Sequence, residues 1–363
     1  MSDFSHFAAA PVARLIRFAA IIVLLCAALA SPAGPARAQD SDPLKVVATF
    51  SILADWVQNA GGDNIELTTI VPAGGDAHTF DPNPEQVANI VDADLIFEIG
   101  LGFESWLEDM YDASGSSAVR VVVSNDMELL ISEADHADEA DDGHDAEGEN
   151  HAEESHDSVG DGHSDEALDD DGGDHVDEVH EDDHGEYDPH IWGDVRNAIG
   201  AVAVISQHLS AADPDNAGAY EANAALYVAQ LEDLHTYIET ETQTIPEDRR
   251  KLVTTHDTFG YYADAYDFEI VGTALSSIST EGGDPPASEI AALVEAIEAE
   301  SVPAIFAENV SNNDLIQVIA DEAGVALADP LYTDALGEPG SDGDTYIAIM
   351  TVNTDAIVTA LVS

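Results

Sequence analysis

Cysteine is almost absent from this 363-residue chain, which contains a single one, Cys26. It lies in an N-terminal segment that has the features of an export signal. The rest of the chain therefore cannot form a disulfide or bind a metal ion through thiolate sulfur. Any metal site there would have to use imidazole and carboxylate groups. Long apolar runs are also lacking after residue 38, so no later segment approaches the length of a membrane span.

Basic residues are scarce too. Lysine and arginine number 9 against 74 aspartates and glutamates, and the formal net charge is −65 at pH 7. So acidic a surface repels phosphate backbones, which argues against nucleic-acid partners. The charge keeps a protein soluble and attracts cations without specificity. Because it also needs screening by salt, we expect a saline habitat.

Residues 1–38 have the three parts of a secretory signal peptide. Arg14 and Arg17 form a basic region, residues 18–30 are apolar or small, and residues 36–38 (Ala-Arg-Ala) form a small-x-small cleavage site. The apolar part is too short to cross a membrane as a helix. We therefore expect cleavage after residue 38, with an uncleaved N-terminal anchor as the alternative.

The residue before Cys26 bears on lipid attachment. A lipoprotein signal has a small residue at this position, whereas this chain has Leu25. We therefore expect soluble export to the periplasm or the extracellular space and no lipid anchor.

Apolar strand-like runs alternate with helical patterns in two parts of the chain, which predicts parallel sheets in two α/β lobes. We expect an N-terminal lobe at 45–212, a linking helix within 213–245 and a C-terminal lobe at 246–363. The helical pattern at 215–244 would span about 45 Å, enough to connect two lobes. Strands are expected at 45–50, 66–71, 95–99, 119–123, 251–255, 268–272, 304–307 and 325–328, and helices at 194–209, 288–299 and 313–323, with Ser288 as an N-cap.

The segment 133–186 interrupts the first lobe. It is nearly all Asp, Glu, His, Gly and Ala, and it has too little apolar surface to offset the entropy of ordering it, so we predict a disordered loop. A solvating charge run would need only acids, whereas histidine adds nitrogen donors, so we favour weak auxiliary metal capture. The eight histidines concerned are His136, His144, His151, His156, His163, His175, His180 and His184.

Outside that loop three histidines occupy unusual positions. His78 follows a predicted strand in a Gly-rich loop, His190 precedes a helical segment, and His256 ends a predicted strand. Parallel α/β lobes bind ligands at the carboxyl ends of their strands, so these imidazoles are candidates for one site in a cleft between the lobes. The remaining two after residue 38, His208 and His235, lie within helical patterns and are interpreted as surface or packing residues.

Seven segments carry a specific resemblance, in order, through nearly all of the chain after residue 38. It resembles the zinc/manganese substrate-binding proteins of ABC importers, the cluster A-I family that includes the ZnuA and TroA types. The segments are 75–82 (GDAHTFDP), 93–96 (ADLI), 100–107 (GLGFESWL), 188–192 (DPHIW), 256–261 (HDTFGY), 305–308 (IFAE) and 331–336 (LYTDAL).

The resemblance implies four metal ligands: His78, His190, His256 and Asp334. Without it, Asp334 would be interpreted as a solvated turn residue in an acidic protein. Three imidazoles and one carboxylate suit Zn²⁺, and histidine at position 256, where the family also uses glutamate, favours Zn²⁺ over the alternative Mn²⁺. Glu308 is a candidate to orient one of the ligand imidazoles.

The function implied is capture of Zn²⁺ outside the cytoplasm and delivery to the permease of an ABC importer. The resemblance also implies a monomer with a bare cation, and no small organic molecule, as its substrate. A zinc metallohydrolase with Glu308 as the base is a second hypothesis, but four protein ligands would close the site that catalysis needs open. A surface adhesin or a metal-sequestering protein without a transporter is a third.

Overall fold

The computed structural model describes residues 43–125, 127–132, 187–275, 280, 285–311 and 313–362. The predicted signal peptide and the predicted acidic loop lie outside the described residues. Within the described ranges no helix is long and apolar enough to cross a membrane.

Eight strands and nine helices longer than one turn make up the described part of the chain. The strands are β1 (Leu44–Phe50), β2 (Ile65–Val71), β3 (Leu95–Glu98), β4 (Val119–Val122), β5 (Lys251–Thr254), β6 (Glu269–Thr273), β7 (Ala304–Glu308) and β8 (Ala326–Leu331). The helices are α1 (Ser51–Gly61), α2 (Pro84–Asn89), α3 (Leu107–Ser114), α4 (Val195–Ala212), α5 (Ala217–Thr242), α6 (Gly260–Tyr266), α7 (Ala287–Ala299), α8 (Asp314–Ala323) and α9 (Tyr346–Val362).

Every strand pairing in these sheets is parallel. The first four strands form one sheet in the order β2-β1-β3-β4, while β5 pairs with β6 and β7 with β8. Strand β1 explains why such a sheet forms: its last five residues are buried without alternation, as expected for a strand covered by helices on both faces. The prediction of an α/β fold with parallel sheets is confirmed.

The buried apolar side chains form two cores. The larger core joins the four-stranded sheet to α1, α4, α5 and α9. The smaller core lies between β5 and β7 and the helices α7 and α8, with Val253, Ile305 and Ile316 fully buried. This division fits two lobes, although α9 contributes Ile349, Met350 and Ile357 to the larger core. The domain boundaries stay a prediction.

The long helix α5 matches the predicted linking helix closely. Its buried residues recur every three or four positions, so one stripe faces the core. At its N-terminal half, Tyr227 donates to Asp55 Oδ2 at 2.7 Å, which attaches the helix to α1. In its C-terminal half, His235 Nδ1 lies 3.1 Å from the hydroxyl of Tyr266 on α6. His235 is therefore a packing residue, as expected.

One local prediction is wrong. Ser288 was expected to cap α7, but the helix begins at Ala287 after Pro286, and no side chain caps it. Pro286 itself occupies the N-cap position with an extended backbone (φ −63°, ψ 149°), so Ser288 falls inside the first turn, where it cannot be the N-cap residue.

Candidate metal centre

His78, His190, His256 and Asp334 lie together at the carboxyl ends of the parallel strands. Each offers one ligand atom, these atoms all lie within 4.8 Å of one another, and all four residues are buried. His78 follows β2, His256 follows β5 and Asp334 follows β8. The structure therefore brings together all four of the residues that the sequence nominated. That they bind a metal ion remains a prediction.

The spacing of these atoms suits a single ion. His78 Nε2 is 3.2 Å from His190 Nε2 and 3.5 Å from Asp334 Oδ2, and His256 Nε2 is 3.1 Å from that same oxygen. Donors at the corners of a tetrahedron around Zn²⁺ would be about 3.3 Å apart. Among the described residues, the buried atoms His256 Nε2 and Asp334 Oδ2 have no hydrogen-bond partner, as expected of atoms that a cation would satisfy. The residues present thus fit a tetrahedral metal ion.

Glu308, the last residue of β7, orients His256. Its Oε1 accepts the backbone N–H of His256 at 3.0 Å, and its Oε2 accepts the Nδ1–H of the same residue. The imidazole therefore presents the lone pair of Nε2 to the centre of the cluster. Ser311 also donates to Oε2, at 3.3 Å. Because both oxygens of this buried carboxylate accept protein donors, Glu308 is poorly placed to act as the base of a hydrolase.

Asp188 does the same for His190. Its Oδ1 accepts both the backbone N–H of His190 at 2.9 Å and the Nδ1–H at 2.7 Å. The sequence analysis quoted Asp188 in a motif but gave it no role. The signal was present in the short spacing, since an aspartate two residues before a histidine can accept from the backbone of that histidine.

His78 is held by packing and by its loop. Its ring packs edge-on against Phe103 at a centroid distance of 4.8 Å, and its backbone N–H donates to Asp76 at 2.9 Å. Trp106 Nε1 donates to the carbonyl of Ala77 at 2.9 Å and so fixes the preceding peptide. The segment at 100–107 therefore positions the first ligand, a role that the sequence did not reveal.

Asn309 and Trp192 fix the loop that carries Asp334. The amide of Asn309 donates to the carbonyl of Ala335 at 3.1 Å, and its oxygen accepts the backbone N–H of Thr333 at 3.0 Å. Trp192 Nε1 donates to the carbonyl of Thr333 at 2.9 Å. The peptides on both sides of Asp334 are thus held, which explains how a carboxylate after a strand becomes fully buried.

The electrostatics of the cluster favour binding of a cation. Burial lowers the pKa of His256, but the charges of Glu308 and Asp334 outweigh it and hold that pKa well above its ordinary value. Burial raises the pKa of Asp334, but the three imidazoles, His256 foremost, outweigh it and hold that pKa well below its ordinary value. The negative charge of these buried carboxylates beside the imidazoles attracts a cation to the cluster, and protons compete with a metal ion for the same nitrogen atoms.

The eight histidines of segment 133–186 lie outside the described residues. On either side of it within the described ranges, Ile131 and Tyr187 form an isolated antiparallel bridge. The described residues that flank the segment are therefore close together, next to Asp188.

Comparison with known proteins agrees with this geometry. The profile of the family described as zinc-uptake complex component A, periplasmic, matches residues 46–360. Manganese-binding lipoprotein MntA of Halalkalibacterium halodurans is 30% identical over 344 residues, which cover 95% of this chain and 97% of that protein. Manganese ABC transporter substrate-binding lipoprotein PsaA of Streptococcus pneumoniae is 28% identical over 348 residues, which cover 94% and 95%.

Solved structures show the same architecture. The periplasmic zinc-binding protein TroA of Treponema pallidum aligns with a TM-score of 0.70 and 26% identity, covering 88% of this chain and 100% of that one. A manganese-bound periplasmic metal-binding protein of Candidatus Liberibacter asiaticus aligns with a TM-score of 0.69 at 22% identity, covering 88% and 99%. Since the family profile spans nearly all of the described residues, the chain belongs to the family of zinc-uptake complex component A, periplasmic.

Proposed function

We propose that this protein captures Zn²⁺ outside the cytoplasmic membrane and delivers it to the permease of an ABC importer. The observation that carries the proposal is the convergence of three imidazole nitrogens and one carboxylate oxygen, all buried and within 4.8 Å of one another. The ion is the cargo of the protein. The relatives are named as binding components of transporters, and the protein is a binding component and not an enzyme.

His78, His190, His256 and Asp334 are the proposed ligands, and the donor set supports zinc. Nitrogen donors suit Zn²⁺, whereas Mn²⁺ prefers oxygen and a higher coordination number. Glu308 and Asp188 hold two of the imidazoles so that their Nε2 atoms converge, and such support strengthens metal binding.

Manganese is the second candidate, because several relatives are named for it. MntA and PsaA are both described as manganese proteins, whereas TroA is described as a zinc-binding protein. Family membership therefore supports a transition-metal cargo, and the choice between the two ions rests on the donor set.

Competitive titration tests this choice. Zinc and manganese are titrated against a chelator of known affinity, with protein that comprises residues 39–363 and with a version that lacks 135–184. One tight zinc site that survives the deletion and disappears in His78→Ala supports the proposal. Weak binding that disappears with the deleted segment contradicts the four-ligand site and indicates an acidic metal buffer.

The same pair of proteins tests the auxiliary role of segment 133–186. If its histidines capture metal, the deletion lowers the number of weak sites and slows uptake at low zinc. That weak binding would fall as pH drops through about 6.5, because protonated imidazole cannot bind metal. If the metal stoichiometry and the rate of uptake are unchanged by the deletion, the segment contributes only solvated charge.

Export is part of this proposal, but anchoring is a separate question. The relatives MntA and PsaA are named lipoproteins, whereas Leu25 before Cys26 favours soluble export. Fractionation of cells that express the wild-type protein and Cys26→Ala distinguishes the two. A wild-type protein that remains with the membrane, together with a released variant, would show a lipid anchor. That the protein is a monomer is a separate part of the proposal.

A further inference from the structure

The two oxygens of Asp334 have different surroundings. Oδ2 faces the imidazoles, 3.1 Å from His256 Nε2 and 3.5 Å from His78 Nε2, and it has no hydrogen-bond partner in the part of the chain that the structure describes. Oδ1 accepts a hydrogen bond from the hydroxyl of Thr258 at 3.3 Å and lies 3.7 Å from His190 Nε2. One oxygen is therefore free for a cation, and the other is occupied by the protein.

We propose that Thr258 is a specificity-determining residue, which keeps Asp334 a one-oxygen ligand and so favours zinc over manganese. Thr258 lies between β5 and α6, two residues after His256, and it is buried. Its hydroxyl acts on the selectivity of the site through Asp334 and does not itself contact the ion. The inference rests on the proposed metal-binding function of these four residues.

Coordination number is the physical reason. With Oδ1 held by Thr258, the cluster supplies three nitrogens and one oxygen, the four donors of a tetrahedral zinc site. Manganese is better served by additional oxygen donors. Without the hydroxyl, Oδ1 would be a buried carboxylate oxygen that lacks the hydrogen bond from Thr258, which is unfavourable. Coordination of Oδ1 to the ion would replace that lost interaction. Removing the Thr258 hydroxyl thus offers a fifth donor, of the type that manganese prefers.

Thr258→Val tests the proposal because it removes the hydroxyl and keeps the branched shape. We expect the zinc-over-manganese affinity ratio to fall by roughly three- to tenfold, the effect of losing one hydrogen bond to a charged group at this long distance. X-ray absorption of the zinc-loaded protein should show the coordination number rising from four towards five. Thr258→Ser keeps the hydroxyl and should retain the wild-type ratio and the wild-type spectrum.

Thr255→Val is the matched control. Thr255 is buried three residues earlier in the chain, and no described residue forms a hydrogen bond with its hydroxyl. The substitution makes the same chemical change beside the same strand without releasing an oxygen of Asp334, so the affinity ratio should stay at the wild-type value. A fall in both valine variants would indicate a general effect of the substitution and would overturn the proposal.

The outcomes separate this inference from the proposed function. An unchanged ratio and coordination number in folded, zinc-binding Thr258→Val overturns the role of Thr258 and leaves metal capture intact. The proposed function itself is overturned if the wild-type protein has no tight metal site, or if its tight site is still present in His78→Ala. If Thr258→Val does not fold, Thr258→Ala takes its place, with the same fall expected and the same unchanged ratio counting against the proposal.

Discussion

Glu308 binds His256 at two points, through the backbone N–H at 3.0 Å and through the ring Nδ1–H. Glu308 is the last residue of β7, whereas His256 lies two residues after the end of β5, and both are fully buried. The orientation of one ligand imidazole in the candidate site is thus determined by a residue of β7, which pairs with β8, whereas β5 pairs with β6.

Glu308→Gln should therefore weaken zinc binding without removing a ligand. The amide keeps the shape of the side chain but loses the negative charge that holds the Nδ1–H of His256. We expect zinc affinity to fall by about 10- to 100-fold, the usual effect of losing such a partner. Competitive titration with a chelator measures it.

Ser311→Ala is the control for Glu308→Gln, because it removes only the long bond to the same carboxylate. Its effect on zinc affinity should be a few-fold at most. Equal affinities in the wild-type protein and Glu308→Gln would contradict the orienting role of Glu308.

His256→Glu should shift selectivity towards manganese. The change replaces a nitrogen donor with oxygen at the centre of the cluster, and oxygen suits Mn²⁺ better than Zn²⁺. The zinc-over-manganese affinity ratio should fall, as measured by titrating both ions against one chelator. An unchanged ratio would count against the argument that the donor set favours zinc.

Glu104 predicts a pH dependence of stability. Burial, with the charge of Glu98 adding to it, raises the pKa of Glu104 from 4.5 to about 7. Between these values the folded state binds more protons than the unfolded state, so this residue makes the free energy of unfolding fall as pH rises. The loss is on the order of 3 kcal/mol, complete above about pH 7 and absent below about pH 4.5.

Urea unfolding of the wild-type protein and Glu104→Gln at pH 5 and pH 8 tests this effect. The variant cannot titrate at this position, so the difference in unfolding free energy between the two proteins should shift in its favour at the higher pH. Its other acidic groups are the same, which cancels the general effect of the high negative charge. A difference that is independent of pH would contradict the prediction.

The rigidity of the long helix α5 predicts that metal binding causes only a small closing motion of the protein. Its buried stripe contacts α1 and α4 at one end and approaches α6 and α9 at the other, so it resists bending. Small-angle scattering with and without zinc should therefore give nearly the same radius of gyration. A large difference would indicate a wide hinge and would refute the rigid link.

Local sequence patterns predicted the strands well, most clearly β1, β3 and β7, whose apolar runs are buried without alternation. They were less reliable where proline or tertiary contacts decided the outcome. Pro286 moved the start of α7 ahead of Ser288, and α9 places its apolar residues in the larger core, a packing choice that a helical pattern cannot reveal.

The sequence by itself predicted an export signal and determined the exclusion of sulfur ligands, the alternation of strands and helices, and the identity of the four candidate ligands. It did so because composition, periodicity and family motifs are properties of the chain alone. Only the tertiary structure decided which atoms converge. Glu308 pairs with His256, Asn309 fixes the loop that carries Asp334, and Thr258 donates to one oxygen of Asp334. Each of these contacts joins residues from separate loops or strands. Such contacts depend on distances across the fold, which a linear sequence does not contain.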